Sequence, residues 1–250
     1  MPEKWMTLRA FYTGVDRRIA KIETREHGFA FLRALSNGAH VDYAELKKGV
    51  YKYRLSGIEP GFFDELLRQH AAGALNLCAY FGAEQNSVFA LNVDSVSSFA
   101  GKGKILALCL LEAFDALGVA PLTLRSGHGY HLLCRLARPA PNGALRALMD
   151  GAVRRAADAM ERRGVTTADL QCTGHPRPRH GDVSLRLFGS AHVRTGLFPC
   201  VAARIGREDD LLGEAESWAC FEDYLQNGAL AKEQFEAACR RLREQDGETV

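Results

Sequence analysis

The sequence predicts an α+β fold in which an antiparallel-rich sheet carries helices on one face. Two apolar, aromatic-rich runs, 75–81 and 87–94, lie on either side of GAEQN, which is typical of a hairpin. Strand-like and helical segments then follow in the order strand, strand, helix, strand, strand, helix, strand. Hairpins therefore outnumber βαβ crossovers, and this order disfavours a parallel nucleotide-binding fold.

Individual elements follow from local periodicity. Alternation over 50–55 predicts a strand, and 62–70 reads as a short helix after Pro60. The apolar stretch 105–117 is too long for a strand and predicts a buried helix. The remaining predictions are strands at 122–125 and 130–136, a helix at 145–160 ended by Gly164, a polar loop at 171–182, a strand at 183–188, and two C-terminal helices, the last with Asn227 as its start signal.

Length and composition limit the class of protein. The chain has 250 residues, 47% hydrophobic and 25% charged, enough for one large or two small globular domains. Its formal charge of +2 is far from that of a dedicated DNA-coating protein, so a nucleic-acid partner would need a local basic patch.

The cysteines and the apolar runs bear on the compartment. Seven cysteines are an odd number, and several lie in apolar runs, which favours reduced thiols over a disulfide framework. The first ten residues lack an apolar signal region, and no apolar run reaches the roughly 18 residues of a membrane span. We therefore expect a cytoplasmic protein with no membrane partner.

The first cluster of chemical interest is the segment FALNVD, an apolar strand with Asn92 and Asp94 at its end. Alternation places the two side chains on one face, where both oxygens can converge on one ion. Two aspartates here would clamp Mg²⁺, whereas Asn92 is a neutral and weaker ligand. The alternative is that the strand merely ends in turn residues.

The second cluster is the segment SGHGYH, which runs from Ser126 to His131. Gly127 and Gly129 allow a tight turn whose amides can face a phosphate, with Ser126 and His131 as flanking donors. A lone GxG is weak evidence, and a buried histidine is commonly a satisfied core residue.

The third cluster is the segment SLRLFGSAHVRTGL at 184–197. Arginine forks give bidentate phosphate contacts, so this segment suits the recognition of a triphosphate. A solvated basic loop is the alternative. The polar and basic side chains concerned are Arg186, Ser190, His192, Arg194 and Thr195.

Taken in order, the three clusters resemble the motifs of the archaeo-eukaryotic primase, or primase–polymerase, superfamily. That family has an Asp-x-Asp strand, then SGxGxH before a strand, then a further acid and a segment like RLPGSLHxKTG. The resemblance covers about residues 75–205, and LRLFGSAHVRTG is its strongest single match. It implies a catalytic core with an RRM-like half over 74–206, preceded by an N-terminal α/β segment at 1–73 and followed by C-terminal helices at 207–250.

The resemblance also implies roles for individual residues. Asp94 would be a metal ligand, and Asn92 would occupy the other ligand position. His131, with Ser126 and Gly127, would contact the phosphates of an incoming nucleotide. Ser190, His192 and the arginines at 186 and 194 would take similar phosphate roles.

Two departures from the family pattern affect catalysis. One acid of the first motif is replaced by Asn92, and the third acid falls where the chain reads Thr-Gly-His175, with Asp169 and Asp182 out of register. Two-metal catalysis needs several negative ligands. The leading expectation is an Mg²⁺- or Mn²⁺-dependent nucleotidyltransferase that makes or extends primers from NTP or dNTP; the rival is an inactive primase-fold subunit that binds nucleotide or nucleic acid.

Partner predictions follow from the same segments. We expect single-stranded DNA or a template–primer as a ligand, with Arg177, Arg179 and Arg194 on its phosphates. A helicase, or a partner in a replication, plasmid or defence complex, is a further expectation. Cys172, His175 and His180 have a spacing compatible with zinc, although a fourth ligand is unassigned.

Overall fold

The computed structural model describes residues 3–25, 38–81, 84–95, 100–127, 129–167, 170–176, 184–206 and 208–245. The chain forms two compact units, Met1–Ala83 with Pro178–Pro199 and Glu84–Arg177 with Cys200–Val250. Each contains an antiparallel sheet, so the predicted α+β class is confirmed in this general form. No helix in the described part of the chain is long and apolar enough to span a membrane.

The first unit is a five-stranded sheet in the order β2-β3-β1-β4-β9, with two helices. One sheet face is apolar and fully buried, with Ala20, Ile22 and Leu77 on it, and the second helix packs against β1 and β4. Its elements are α1 (Lys4–Phe11), β1 (Asp16–Thr24), β2 (His40–Lys47), β3 (Val50–Ser56), α2 (Pro60–Ala71), β4 (Asn76–Tyr80) and β9 (Leu185–Arg186).

The second unit is a six-stranded sheet in the order β11-β10-β6-β7-β5-β8. Its elements are β5 (Gln85–Ser95), α3 (Ala100–Leu117), β6 (Leu122–Arg125), β7 (Gly129–Pro141), α4 (Asn142–Arg162), β8 (Leu170–His175), β10 (Cys200–Arg204), β11 (Asp210–Leu211), α5 (Glu214–Asn227) and α6 (Lys232–Gln245).

The core of the second unit lies between one face of its sheet and the helices α3, α4 and α6. Leu91 and Val93 of β5 are buried there together with Leu110 and Phe114 of α3. The helices approach closely, since a Cβ on Gly151 of α4 would lie 2.3 Å from a methyl carbon of Leu242. Burial of apolar area at ~25 cal/mol per Å² is the main source of stability for such a layer.

Several elements match their sequence-based predictions. The strand at 50–55, the helix at 62–70 and the buried helix at 105–117 correspond to β3, α2 and α3. The hairpin around SGHG is formed by β6 and β7, and the helix that ends before Gly164 is α4. The two C-terminal helices are α5 and α6.

The predicted hairpin between 75–81 and 87–94 is wrong. β4 pairs with β1 and β9, whereas β5 pairs with β7 and β8, so the two strands lie in different sheets. Both strands are central in their sheets and need partners on both sides, which the local turn signal GAEQN does not specify. The unit boundaries also differ from the segments 1–73, 74–206 and 207–250, because 178–199 returns to the first sheet as β9.

Three smaller corrections concern the C-terminal half. Residues 170–175 form the strand β8 rather than the beginning of a loop, because β5 offers an unpaired edge that they complete. The strand predicted at 183–188 is limited to the two residues of β9 within the described chain. Asn227 is the last residue of α5, and α6 begins at Lys232, where Gln234 Oε1 accepts the Ala231 amide at 2.8 Å.

A buried histidine connects α2 to the chain that follows β9. His70 Nδ1 accepts the Leu77 amide at 3.1 Å, so Nε2 carries the proton and donates to the Phe188 carbonyl at 2.8 Å. Burial lowers the pKa of His70 to about 4, against its usual 6.5. The neutral ring is therefore the form that the fold requires.

Stability should fall on acidification because of His70. Between pH 6.5 and about 4 the unfolded chain binds a proton that the folded chain rejects, so this part of the stability is present above pH 6.5 and lost on acidification. The loss should reach about 3 kcal/mol for the wild type. Urea unfolding of wild type and His70→Gln across this range measures it; equal pH slopes for the two proteins would contradict the assignment.

Candidate functional site

A polar row crosses three strands of the second sheet. Asn92 of β5 lies opposite His131 of β7 on one side and Thr173 of β8 on the other. Directly opposed residues of antiparallel strands project to the same face. Asp94 lies two residues on, opposite Gln171, so the apolar sequence of β5 places two polar side chains on the face away from the helical core.

Asn92 and Asp94 contact each other directly. The Asn92 amide donates from Nδ2 to Asp94 Oδ2 at 2.8 Å, which confirms that the two side chains share a face. This bond orients the amide, since the reverse orientation would place two oxygens together. Asn92 Oδ1 is then buried, and it has no hydrogen-bond partner among the described residues.

The turn between β6 and β7 is closed by its own hydrogen bonds. The Ser126 amide donates to the Gly129 carbonyl at 2.8 Å, and Ser126 Oγ accepts the Gly129 amide at 3.2 Å. Because its oxygen accepts within the turn, the Ser126 hydroxyl keeps its own proton for an outside acceptor. Ser126 and His131 are 5% and 6% exposed, so the sequence pattern SGHGYH places both side chains in buried positions beside the polar row.

A carboxylate outside the motifs stabilises this turn. Asp209 pairs with Lys104 of α3 at 2.9 Å, accepts the hydroxyl of Tyr130 and lies 3.8 Å from Arg125 Nε. Arg125 in turn donates to the Gly129 carbonyl at 2.8 Å and lies over the Tyr130 ring. Burial alone would raise the pKa of Asp209, but the Tyr130 and Lys104 hydrogen bonds outweigh burial and lower it, so the residue stays ionised.

The position beside the Asn–Asp pair carries no third acid in the described chain. β8 places Thr173 opposite Asn92, Gln171 opposite Asp94 and His175 opposite Ala90. None of these three neighbours on the same face is a carboxylate. Asp169 and Asp182 lie outside the described residues.

The donors that the described residues provide here suit one divalent ion. Asp94 supplies a single carboxylate, and Asn92 Oδ1 is a buried oxygen with no partner within the described chain. Mg²⁺ is commonly held by one or two carboxylates, with waters and substrate phosphates completing its shell. No group of three histidine, cysteine, aspartate or glutamate residues able to hold a metal occurs in the described ranges.

The strand register does not bring two of the three predicted zinc ligands together. Cys172 lies opposite Val93 and packs against the helical core, whereas His175 lies opposite Ala90 on the other face. Residues three apart on a strand project in opposite directions, so these two cannot share an ion. His180, the third predicted ligand, lies outside the described residues, as do Arg177 and Arg179.

The first unit holds the third motif in a hydrogen-bonded loop after β9. Asn76 of β4 donates to Ser190 Oγ at 3.0 Å and to the Ala191 carbonyl at 2.7 Å, and accepts the Val193 amide at 3.0 Å. The Ser190 hydroxyl donates to the Leu75 carbonyl at 3.1 Å and is 1% exposed. Ser190 therefore anchors the loop in the described conformation.

The same loop fixes the tautomer of His192. Its Nδ1 accepts the amides of Arg194 and Thr195, both at 3.2 Å. Since Nδ1 is an acceptor, Nε2 carries the proton of the neutral ring and acts as a donor. Arg194 is exposed, and Arg186 lies opposite Cys78 on β4. The loop thus presents donors and one exposed guanidinium.

Sequence reasoning missed the residues that position the motifs. Asp209, Asn76 and His70 lie far from the motif segments that they hold, and a single polar residue in a sequence gives no sign of such a contact. Only Asn76, a polar residue directly before an apolar strand, offered a weak signal.

Comparison with known proteins found a remote likeness among solved structures. No protein-family model and no curated protein matches the chain. Among solved structures, the polymerase domain of Mycobacterium tuberculosis Ligase D in complex with DNA is 14% identical, covering 98% of this chain and 88% of that chain, with a TM-score of 0.43. With so remote a likeness, the functional interpretation rests on the residues of this chain.

The closed turn should not tolerate a side chain at Gly129. A Cβ there would lie 1.8 Å from the Val93 carbonyl oxygen, so β5 and β7 would have to separate beside Asp94. We expect Gly129→Ala to lower the free energy of unfolding by about 3 kcal/mol. Gly143→Ala is the control, because nothing lies within 4 Å of its Cβ. Similar urea midpoints for both variants would refute the close packing.

Proposed function

We propose that this protein is a primase–polymerase-type nucleotide-binding protein that also binds single-stranded nucleic acid, and that it does not carry out two-metal nucleotidyl transfer. The observation that carries the proposal is the polar row Thr173–Asn92–His131, beside which the Asp94 carboxylate is hydrogen-bonded to the Asn92 amide. Such a row offers donors for phosphates but little negative charge for metal ions.

The small negative charge of the site is compatible with nucleotide binding but would not support two-metal catalysis. Two divalent ions about 4 Å apart repel each other strongly, and several carboxylates must offset that repulsion. Asn92, Thr173 and Gln171 contribute oxygens without charge. A single ion bound mainly through the phosphates of the nucleotide is consistent with this donor set.

Nucleotide phosphates have identifiable donors in each unit. In the second unit, Ser126 keeps a hydroxyl proton and His131 lies beside Asn92. In the first, His192 has an Nε2 donor and Arg194 is exposed. Arginine and imidazole donors to phosphate form charge-assisted hydrogen bonds, which are stronger than neutral ones. We propose Arg186 as a further phosphate contact within the first unit, and the Gly127 turn as one within the second.

A divalent ion, when bound with the nucleotide, would neutralise phosphate charge. Asp94 is the carboxylate that would hold it, and Asn92 Oδ1, buried and without a partner in the described chain, is the second oxygen. In this assignment the remaining side chains orient the triphosphate and exclude water. Asn92 also holds Asp94 in place through the bond from its amide nitrogen.

The second candidate is an active nucleotidyltransferase that makes or extends primers with Mg²⁺ or Mn²⁺. The orphan oxygen of Asn92 favours it, because a buried acceptor without a donor is costly unless a cation or ligand fills its place. The chemistry would be attack of a 3′-hydroxyl on the α-phosphorus, driven by positioning. A helicase or a replication or defence partner remains a prediction for either candidate.

Binding without synthesis is the expected behaviour of the wild type. His131→Ala and Arg194→Ala should each weaken ATP or dATP binding by about 1.5–3 kcal/mol, the range for hydrogen bonds to charged groups. Calorimetry measures binding, and primer extension on single-stranded DNA with Mg²⁺ or Mn²⁺ measures synthesis in the same preparation. Robust extension would select the second candidate, and unchanged affinity in both folded variants would remove the nucleotide site.

Restoring the missing charge should restore metal affinity. Asn92→Asp places a second carboxylate beside Asp94, and we expect Mg²⁺ or Mn²⁺ to bind at least about tenfold more tightly, which corresponds to ~1.4 kcal/mol. Metal titration by calorimetry measures this, and Asp94→Ala should abolish binding in both backgrounds.

Asn227→Asp is the matched control for Asn92→Asp. Asn227 also donates to an aspartate, Asp223, at 2.8 Å, but on the exposed surface of α5. It should leave metal affinity unchanged. An equal gain in both variants would show a general charge effect and exclude the polar row as the metal site.

A further inference from the structure

A row of cationic side chains crosses the first sheet on one face. The register pairs Arg186 of β9 with Cys78 of β4, Cys78 with Lys21 of β1, and Lys21 with Arg54 of β3. Residues opposed in antiparallel strands share a face, so Arg186, Lys21 and Arg54 form one line with Cys78 between the first two. The structure therefore arranges three residues from distant parts of the sequence across four strands.

The neighbouring row on the same face adds one more cation and a carboxylate. Glu23 lies opposite Lys52, and its Oε1 is 3.3 Å from Lys21 Nζ and 3.4 Å from Lys52 Nζ. One glutamate is thus shared by two lysines, whose side chains are each 17% exposed. Glu45 lies opposite Lys52 on the edge strand, and Asp42 is 3.6 Å from Arg54.

The charges surround the buried thiol at the centre of the row. Burial raises the pKa of Cys78 to about 12, with Glu23 adding to the rise, while Lys21, Arg186 and Lys52 act in the opposite direction. These effects are consistent with the positions given by the strand register. Three cations and one anion therefore lie close to the same point of the sheet.

An aromatic ring accompanies the row. Tyr80 follows Cys78 by two residues on β4 and therefore projects from the same face. The Arg54 guanidinium lies 5.7 Å from the centre of its ring. Cationic side chains next to an aromatic ring are the combination by which proteins bind single-stranded nucleic acid without reading its sequence.

The apolar core of the unit lies on the other face of the sheet. That face carries Ile22, Leu55 and Leu77, each 0% exposed, and supplies the apolar burial for this sheet. On the charged face Glu23 and Asp42 offset part of the charge of the cations. A ligand that supplies several negative charges along a line would be complementary to the row as a whole.

We propose that this cationic row, Arg186–Lys21–Arg54 with Lys52 beside it, binds the phosphate backbone of a single-stranded nucleic acid. With strands about 4.8 Å apart, the row extends over about 14 Å, longer than the phosphates of one nucleotide occupy. The site extends the proposed function, because Arg186 is also assigned to the nucleotide. It adds the sheet to the predicted strand-binding elements, beside the arginines at 177 and 179, which lie outside the described residues.

The test is the salt dependence of oligonucleotide binding by the full chain. Fluorescence anisotropy of labelled oligo-dT, measured over a range of salt concentrations, gives the slope of log K against log salt. Lys21→Gln and Arg54→Gln should each weaken binding and reduce the slope by roughly 0.7, the value for one phosphate contact on a single strand. Lys21→Arg keeps the charge and should restore both quantities.

A matched control removes the same charge from the helical side of the same unit. Arg68 of α2 pairs with Glu65 at 3.3 Å and lies over the Trp5 ring, with a side chain 48% exposed. Arg68→Gln should leave the slope unchanged. An unchanged slope in folded Lys21→Gln and Arg54→Gln, or an equal change in Arg68→Gln, would overturn the proposal.

A second titration shows whether the cationic row binds the phosphates of a nucleic-acid strand or those of a nucleotide. ATP binding should be nearly unaffected by Lys21→Gln and Arg54→Gln if the row holds a strand. Loss of ATP affinity with oligonucleotide affinity retained would overturn the strand assignment in favour of the nucleotide. His131→Ala distinguishes the proposed nucleotide site from the proposed strand site, because it should reduce ATP binding while the salt slope of oligonucleotide binding is unchanged. Oligonucleotide binding that depends on the row would support the strand site even if no nucleotide binds.

Discussion

The antiparallel pairing of β5 with β7 on one side and β8 on the other is the constraint on which the candidate site depends. One register places Asn92 beside His131 and Thr173, and the same register turns Leu91 and Val93 into the helical core. A shift by one residue would exchange the two faces. Burial of the apolar face therefore determines which polar side chains meet, and Gly129 permits the close approach that the pairing requires.

The two faces of each sheet differ in the same way. Each has an apolar face that is buried and a second face with polar or charged side chains arranged in rows across strands. In the second unit that face carries Asp94 beside amide and hydroxyl side chains; in the first it carries a row of cations together with carboxylates. This arrangement is the basis on which phosphate binding is proposed.

Predictions from local sequence signals were confirmed for features that depend on interactions within a few residues. The turn at Ser126–Gly129, the helix that ends before Gly164 and the shared face of Asn92 and Asp94 follow from glycine conformations and strand alternation. The predicted loop at 171–182 failed for its first part, because β8 is stabilised by an edge of β5 that lies about 80 residues earlier in the chain. The polar sequence of this segment is compatible with a strand that has one exposed face, but its periodicity did not predict a strand.

The sequence by itself determined the elements, their amphipathic faces and the residue types at the motifs, since these depend on neighbours within a few positions. Only the tertiary structure decided that β4 and β5 belong to different sheets, that Cys172 and His175 face opposite ways, and that Asp209 supports the turn. Strand order and register depend on contacts between segments that are far apart in the sequence. The free energy of these contacts comes from the packing of whole layers and not from any one segment. The cationic row at Arg186, Lys21 and Arg54 exists for that reason only in the folded chain.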